Sequence, residues 1–261
     1  MIKQKKHMRK YIILVCLAAS MIACSTPKEL GVMSYNVHNA IGMDKITSYE
    51  RIAKIISDSK VDVVAVQELD SVTIRSKGVD VLKAIAENCD MYPIFGGSID
   101  FQGGKYGIGI LSKEKPLSYY RVPLPCRSEP RSLLVAEFED YYFCSTHLSL
   151  HAEDRLSSAK IIVEELSKLN KPALIAGDFN AQPEEDSMLY LSKHMNIYKK
   201  GDSPHAENPS PYTFPANKPS TEIDYICSFD PQQKIKLTSH YTKHAPVESD
   251  HAPIVAWIEI K

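Results

Sequence analysis

The sequence predicts an α/β protein built from two mixed sheets packed face to face, with helices on the outside. Three observations carry this. Apolar, β-branched runs alternate along the chain with segments whose apolar residues recur at helical spacing. Two of the runs are separated only by Glu139-Asp140, a hairpin signature that brings antiparallel pairing into an otherwise alternating pattern. At 261 residues and 44% hydrophobic content the chain also has the material for one large domain with a full core.

Residues 31–35 read as a first buried strand ending at Asn36. Residues 49–57 place Ile52, Ile55 and Ile56 at helical spacing behind Ser48, whose hydroxyl suits a helix N-cap. The β-branched run 61–66 is a central strand that terminates in Gln67-Glu68. A second helix, 79–87, turns Val81, Leu82, Ile85 and Ala86 toward the core, and 106–111 is a further strand. Runs 132–138 and 141–148 form the hairpin. The longest helix, 152–169, directs Leu156, Ile161, Ile162, Leu166 and Leu169 inward and leads into the strand that starts at Leu174. A short helix near 185–192, a polar, proline-marked loop over 201–217, and strands at 223–228, 234–242 and 253–260 complete the chain. A loop of that length on a compact domain is often functional. No internal repeat, low-complexity tract or Gly/Ser-rich linker divides the chain.

The first residues stand apart. Lys3, Lys5, Lys6, Arg9 and Lys10 precede an apolar run over 11–23 of signal-peptide length. Met21-Ile22-Ala23-Cys24 resembles the cleavage box of bacterial lipoproteins. On that resemblance residues 1–23 are a signal peptide, Cys24 is the lipidated first residue of the mature chain, 24–30 is a short tether and 31–261 is the folded domain. The protein is then exported and held at the cell envelope by acyl chains, at about 0.8 kcal/mol per buried methylene. An uncleaved anchor helix would leave it on the same side. Without residues 1–23 the chain carries 26 basic against 32 acidic residues, a net charge near −6. That balance argues against a partner held by non-specific phosphate contacts, so no stable nucleic-acid partner is expected and the chain is read as a monomer. It leaves open a nuclease whose positive charge comes from a bound metal. Cys89, Cys126, Cys144 and Cys227 remain, and an exported compartment permits disulfides among them, but buried free thiols explain Cys144 and Cys227 equally well. Cys144 stands three residues before His147 with no second ligand pair, which sets zinc aside.

The polar residues at strand ends form a pattern. Asn36, Glu68, His147, Asp178 with Asn180, Asp224, and Asp250 with His251 each terminate or follow an apolar strand, and each belongs to a metal-ligating, acid/base or anion-binding type. Asp178 and Asn180 are two residues apart, so a continuing strand would turn them the same way. Ser34-Tyr-Asn36, Gln67-Glu68, Ser145-Thr-His147-Leu148, Gly177-Asp-Phe-Asn180, Ile223-Asp-Tyr-Ile226 and Ser249-Asp-His251 resemble, in order and across residues 31–259, the motifs of the endonuclease/exonuclease/phosphatase superfamily. Its members include pancreatic deoxyribonuclease, abasic-site endonucleases, sphingomyelinases and inositol-polyphosphate phosphatases. The resemblance implies a four-layer α/β/β/α sandwich, in agreement with the fold class above. Asp44, Asp70, Arg75-Ser76 with Asp80, Tyr106-Gly107, Glu129-Pro-Arg131 and Thr213-Phe-Pro215 are similar to a bacterial, sphingomyelinase-like branch. Ile108 stands where many relatives carry asparagine, and Glu222 where a basic residue often precedes Ile-Asp-Tyr, which bars transfer of any one relative's substrate.

The resemblance also assigns roles. Glu68 offers a hard oxygen ligand to Mg²⁺ or Mn²⁺, with Asn36 and Asp250 completing the site directly or through water. His251 is the candidate general base, its other nitrogen held by Asp224; some relatives use the counterpart of Asp178 instead, and both assignments stay open. Asp178 and Asn180 position water and a phosphoryl oxygen, and His147 binds or protonates the phosphate on its leaving side. Singly, Asp224 could close a hairpin, Glu68 cap a helix and His147 sit satisfied in the core; jointly these readings do not account for the shared order. For His38, Asp44, His151 and Arg155 the structural readings stay ahead, Tyr106 and Arg131 are intermediate, and His194, His205, His240 and His244 are read as surface. The expected activity is divalent-metal-dependent hydrolysis of a small or lipid-derived phosphate ester. The alternatives are an exported nuclease and a lipoprotein that keeps the fold but only binds.

Overall fold

The computed structural model describes residues 27–198 and 211–261. The expected signal peptide, Cys24, the start of the tether, His205 and most of the 201–217 loop lie outside the described residues. Twelve strands and four helices are described in chain order: β1 (Lys28–Asn36), α1 (Tyr49–Ser59), β2 (Val63–Ser71), α2 (Val81–Cys89), β3 (Tyr92–Phe101), β4 (Gly104–Ser112), β5 (Ser118–Leu124), β6 (Arg131–Glu137), β7 (Tyr142–His147), α3 (Ala152–Ser167), β8 (Ala173–Asp178), α4 (Asp186–Leu191), β9 (Asn196–Ile197), β10 (Asp224–Phe229), β11 (Ile235–Thr242) and β12 (Ile254–Ile260).

The strands form two six-stranded sheets, in the orders β11-β12-β1-β2-β4-β3 and β5-β6-β7-β8-β10-β9. Each sheet is mixed and contains one parallel pair near its centre, β1 with β2 and β7 with β8. Parallel neighbours need a crossover, and helices α1 and α3 supply it. The carboxyl ends of both parallel pairs are where side chains can leave the sheets toward one another.

Three packed layers of side chains make this a four-layer sandwich. Between the sheets, Val32, Ala65 and Ile110 meet Leu134, Phe143 and Leu174. Outside the first sheet, Ile52 and Ile56 of α1 and Leu82 and Ile85 of α2 cover Met33, Val64 and Val66. Outside the second, Ile162 and Leu166 of α3 with Met188 and Leu191 of α4 cover Val135, Cys144 and Ile175. The expected cap holds, with Ser48 Oγ accepting from the Arg51 amide at 3.2 Å. Leu156, Ile161 and Leu169 of the longest helix are only half buried, because Asp154, Arg155 and Ser158 take part of its inner face.

Three strands have no counterpart in the sequence reading, the two-residue β9 and the longer β3 and β5, and all lie on sheet edges. Edge strands need only one apolar face, and β3 and β5 each contain a proline that an edge tolerates. Against the surface reading, His240 is buried: it alternates with Thr242 on the inner face of β11. Among the described residues no helix is long and apolar enough to cross a membrane.

Candidate active site

Both parallel pairs deliver their last residues to one place. β1 ends on Asn36, and β7 and β8 end on His147 and Asp178, which are register partners. Glu68 lies inside β2, two residues beyond the last regular pair with β4, where the register slips between Val66 and Leu69. Its φ of 60° is left-handed, a conformation costly for a side chain of this size. The bulge turns the glutamate out of the strand toward Asn36, whose Nδ2 donates to Glu68 Oε1 at 3.0 Å. Asp224 opens β10 rather than ending a strand; β10 runs antiparallel to β8 with Asp224 opposite Asp178, so its start lies at the same edge. His251 follows Ser249, whose hydroxyl donates to the Asn36 carbonyl at 2.7 Å and ties this segment to the end of β1.

Asp178 Oδ2 is the hub. Asn36 Nδ2 donates to it at 3.1 Å, His147 Nε2 stands 3.4 Å away and His251 Nε2 3.7 Å away. Its other oxygen accepts from the Asn180 amide at 2.8 Å. Burial, and then the neighbouring Asp224 charge, push the Asp178 carboxyl well above the usual range. His251 Nδ1 donates to Asp224 Oδ2 at 2.9 Å. Burial opposes the imidazolium, but Asp224 and Asp178 on its two sides outweigh it and raise its pKa. His147 behaves oppositely: burial, then Arg131, then His251 hold it well below its ordinary value. Arg131 Nη1 donates to His147 Nδ1 at 3.1 Å, so the neutral ring carries its proton on Nε2, the nitrogen facing Asp178. The partners therefore shift the two histidines in opposite directions.

Of the eight expected residues, the structure brings Asn36, Glu68, His147, Asp178, Asp224 and His251 into this network. Asn180 departs from the side-by-side arrangement: it lies beyond the end of β8 with φ 49°, and its Nδ2 donates to the Leu148 carbonyl at 3.0 Å. Asp250 faces the rim, with Oδ1 3.9 Å from His38 Nδ1. Asp44 pairs with Arg51 and Arg155 with Glu185, both structural contacts, and His151 is exposed. Two contributors carried no role in the sequence reading. Arg131 sets the His147 tautomer, and Phe214 packs on the His251 ring at 4.8 Å between centroids. Glu129-Pro-Arg131 and Thr213-Phe-Pro215 were the available signals.

The donor set suits a hard divalent cation. Glu68 accepts one hydrogen bond, from Asn36, and among the described residues no basic side chain pairs with it. Asp224 Oδ1 is buried without a hydrogen-bond partner. Asp178, Asp224 and His251 lie close enough for their ligand atoms to fall within 4.8 Å of one another. That trio is already committed through the His251–Asp224 hydrogen bond, which a cation between them would break. Outside that trio, Glu68 is a carboxylate with free valence.

A two-sheet sandwich whose strand ends converge carboxylates, the Asn36 carboxamide and two oppositely tuned histidines fits a hydrolase of this fold class. The sequence profile of the Endonuclease/Exonuclease/phosphatase family matches residues 33–251, and the chain belongs to that family. Its structure is similar to an endonuclease/exonuclease/phosphatase from Bacteroides vulgatus, with TM-score 0.74 and 19% identity over 90% of this chain and 100% of that one. It is also similar to a mannosyl-6-phosphatase from Bacteroides thetaiotaomicron, with TM-score 0.70 and 21% identity over 88% of this chain and 99% of that one. The human nocturnin catalytic domain with bound sulfate aligns at TM-score 0.68 and 17% identity over 89% and 95% of the two chains. No curated protein matches the sequence.

Proposed function

We propose that this protein is a divalent-metal-dependent hydrolase that cleaves a small, water-soluble phosphate ester by direct attack of water. The observation that carries the reading is the convergence of Asn36, His147 and His251 on Asp178 Oδ2, with Glu68 joined through Asn36. Glu68 would hold the cation, with Asn36 and Asp250 as further oxygen donors, directly or through water. When bound, Mg²⁺ or Mn²⁺ supplies positive charge that offsets the phosphate and the charge growing on the leaving oxygen.

The chain's own groups do the rest. A water held between His251 Nε2 and Asp178 Oδ2 loses its proton to that pair as its oxygen bonds to phosphorus, and Asp224 fixes the ring that shares the proton. Asn180 helps keep the Asp178 carboxylate in place through its amide. His147, neutral and protonated on Nε2, donates to a phosphoryl oxygen, and Arg131 behind it holds that tautomer.

Two features support a soluble substrate over a lipid or a polynucleotide. The mature chain is acidic, which disfavours long polyanions. β1 begins at Lys28 and ends at Asn36, so the first described strand starts about 26 Å from the site at ~3.3 Å per residue. A lipid anchor ahead of that strand would favour a substrate from solution over one in the anchoring membrane. That the fold also serves a mannosyl-6-phosphatase is consistent with a small ester.

The test is turnover of bis-p-nitrophenyl phosphate by the purified protein with Mg²⁺ or Mn²⁺, beside mannose 6-phosphate, plasmid DNA and sphingomyelin. Activity that chelator removes, and that Glu68→Ala and His251→Ala both abolish in folded protein, supports the reading. Full activity in both variants overturns it, and preference for plasmid DNA would instead favour the nuclease.

A further inference from the structure

We propose that the loop between β2 and α2 builds a second, non-reacting anion subsite beside Glu68, in which Arg75 and Lys77 hold an anionic group of the substrate other than the ester being cleaved. The proposal rests on the phosphate-ester reading for its choice of ligand. A cleft of about 250 Å³ opens beside the carboxyl end of β1, lined by Asn39, Thr47, Tyr49, Arg75, Ser76 and Lys77. Its charged lining groups are the guanidinium and the amine; no carboxylate lines it.

Arg75 is presented rather than merely exposed. Its Nε and Nη2 donate to the two oxygens of Asp70 at 2.8 and 2.7 Å, a fork on a carboxylate that is wholly buried. Its plane lies over the rings of Phe101 and Tyr106, 4.8 and 5.6 Å from their centroids. Among the described residues Nη1 makes no hydrogen bond, so one edge of the guanidinium is left with donors to offer. A counter-ion for Asp70 alone would need less, because Asn39 Nδ2 and Thr73 Oγ1 already donate to that carboxylate at 3.0 and 2.8 Å.

The loop itself is held in one shape by its own side chains. Thr73 N donates to Ser76 Oγ at 3.1 Å and Ser76 Oγ to the Val79 carbonyl at 2.7 Å. Ser71 Oγ donates to Asp80 at 2.8 Å, and the Arg75 amide to Gln102 Oε1 at 2.9 Å. Such a loop loses little freedom when a ligand binds, which is what a recognition element needs. Its placement joins it to the reaction centre: Asp70 follows Glu68 by two residues, Tyr106 is the register partner of Asp70, and the Glu68 charge acts on both Tyr106 and Arg75.

Calorimetric titration of the full chain with Mg²⁺ compares glucose 1,6-bisphosphate with glucose 6-phosphate, probes that differ by one anionic group. The proposal expects the bisphosphate to bind at least about tenfold more tightly, a ratio that Arg75→Met and Lys77→Met each reduce severalfold. The ratio is insensitive to a general loss of folded protein. Lys77→Met touches no buried partner, so it carries the test if Arg75→Met fails to fold. Equal affinities in the parent protein, or a ratio unchanged in Lys77→Met and in folded Arg75→Met, overturn the subsite. Turnover of bis-p-nitrophenyl phosphate without a bisphosphate preference sinks the subsite alone, whereas the preference without any turnover sinks the hydrolase reading and leaves the subsite standing.

Discussion

Gly177→Ala places a single methyl group where the two catalytic strand ends are closest. Gly177 precedes Asp178 in β8 and pairs with Thr146 of β7. A Cβ there would stand 2.1 Å from the Thr146 carbonyl oxygen, whereas real Cβ atoms stay beyond 3.0 Å, so β7 and β8 must part by at least the 0.9 Å difference. The obstacle is backbone in a central parallel pair and no side chain can swing away. The next register pair is His147 with Asp178, so the displacement passes directly into their 3.4 Å contact. A misplacement of about 1 Å at a reacting group costs on the order of 100-fold in rate. Overpacking of this kind costs about 1–3 kcal/mol. At about 2–4 °C per kcal/mol for a chain of this size, Tm falls by about 2–12 °C. The assay is kcat on bis-p-nitrophenyl phosphate with thermal melts, run beside Gly96→Ala, whose Cβ would meet only the Leu134 side chain at 3.3 Å. The expected result is a folded Gly177→Ala protein with kcat down about 100-fold and a near-native Gly96→Ala. A folded Gly177→Ala enzyme with undiminished kcat would refute the claim that β7–β8 spacing sets the site.

Three further outcomes are expected. Asp224→Asn keeps the shape but removes the charge that orients His251; kcat should fall by about 10⁴, the order seen when a catalytic histidine loses its carboxylate, and a loss below tenfold would count against the pairing. Burial works against the Asp70 carboxylate, but the hydrogen bonds from Arg75, Thr73 and Asn39 outweigh it and hold its pKa below the ordinary value. A lowered pKa stabilises above the unfolded value, so urea unfolding should show Asp70→Asn weaker than the parent by about 2–3 kcal/mol at neutral pH, the gap closing as pH falls below about 4. All four described cysteines are free. With iodoacetamide, Cys126 should react first, because its hydrogen bonds with Ser149 and Ser128 outweigh its partial burial and lower its pKa, while Cys144 and Cys227, pushed up by burial, should label only after unfolding. Mass spectrometry of timed samples reads the order.

What the sequence made legible is the part that burial enforces. The central strands β1, β2, β7 and β8 are apolar on both faces, so a polar residue at the end of such a run announces the edge of the sheet, and Asn36, His147 and Asp178 were visible for that reason. The edge strands β3 and β5 were not, since their exposed faces dilute the apolar pattern. Backbone conformation was equally hidden. Nothing in Gln67-Glu68-Leu69 announces that Glu68 takes φ 60° in a bulge while β2 continues to Ser71, nor that Asn180 turns left-handed and gives its amide to Leu148. Both depend on partners far along the chain, Asn36 in one case and Leu148 in the other. The role of Arg131 was hidden for a similar reason: its effect on His147 comes across the β6–β7 hairpin and has no local signature.

The site also depends on how the two sheets meet. The first sheet supplies Asn36 and Glu68, and the connection between its strands β11 and β12 carries His251; the second supplies His147, Asp178 and Asp224. The Asn36–Asp178 and His251–Asp224 hydrogen bonds therefore cross from one sheet to the other. Neither sheet holds the constellation alone: the first has Glu68 and Asn36 without the buried acids, and the second has two buried acids without the imidazole that balances them. Burial of two carboxylates at one edge is unfavourable by itself. It becomes tolerable when His251 and Asn36 arrive from the facing sheet and a cation is available to Glu68. Closing the apolar layer of Val32, Leu134 and Phe143 is thus what assembles the reaction centre, and the large area of that layer lets the fold hold side chains in protonation states they would not keep in water.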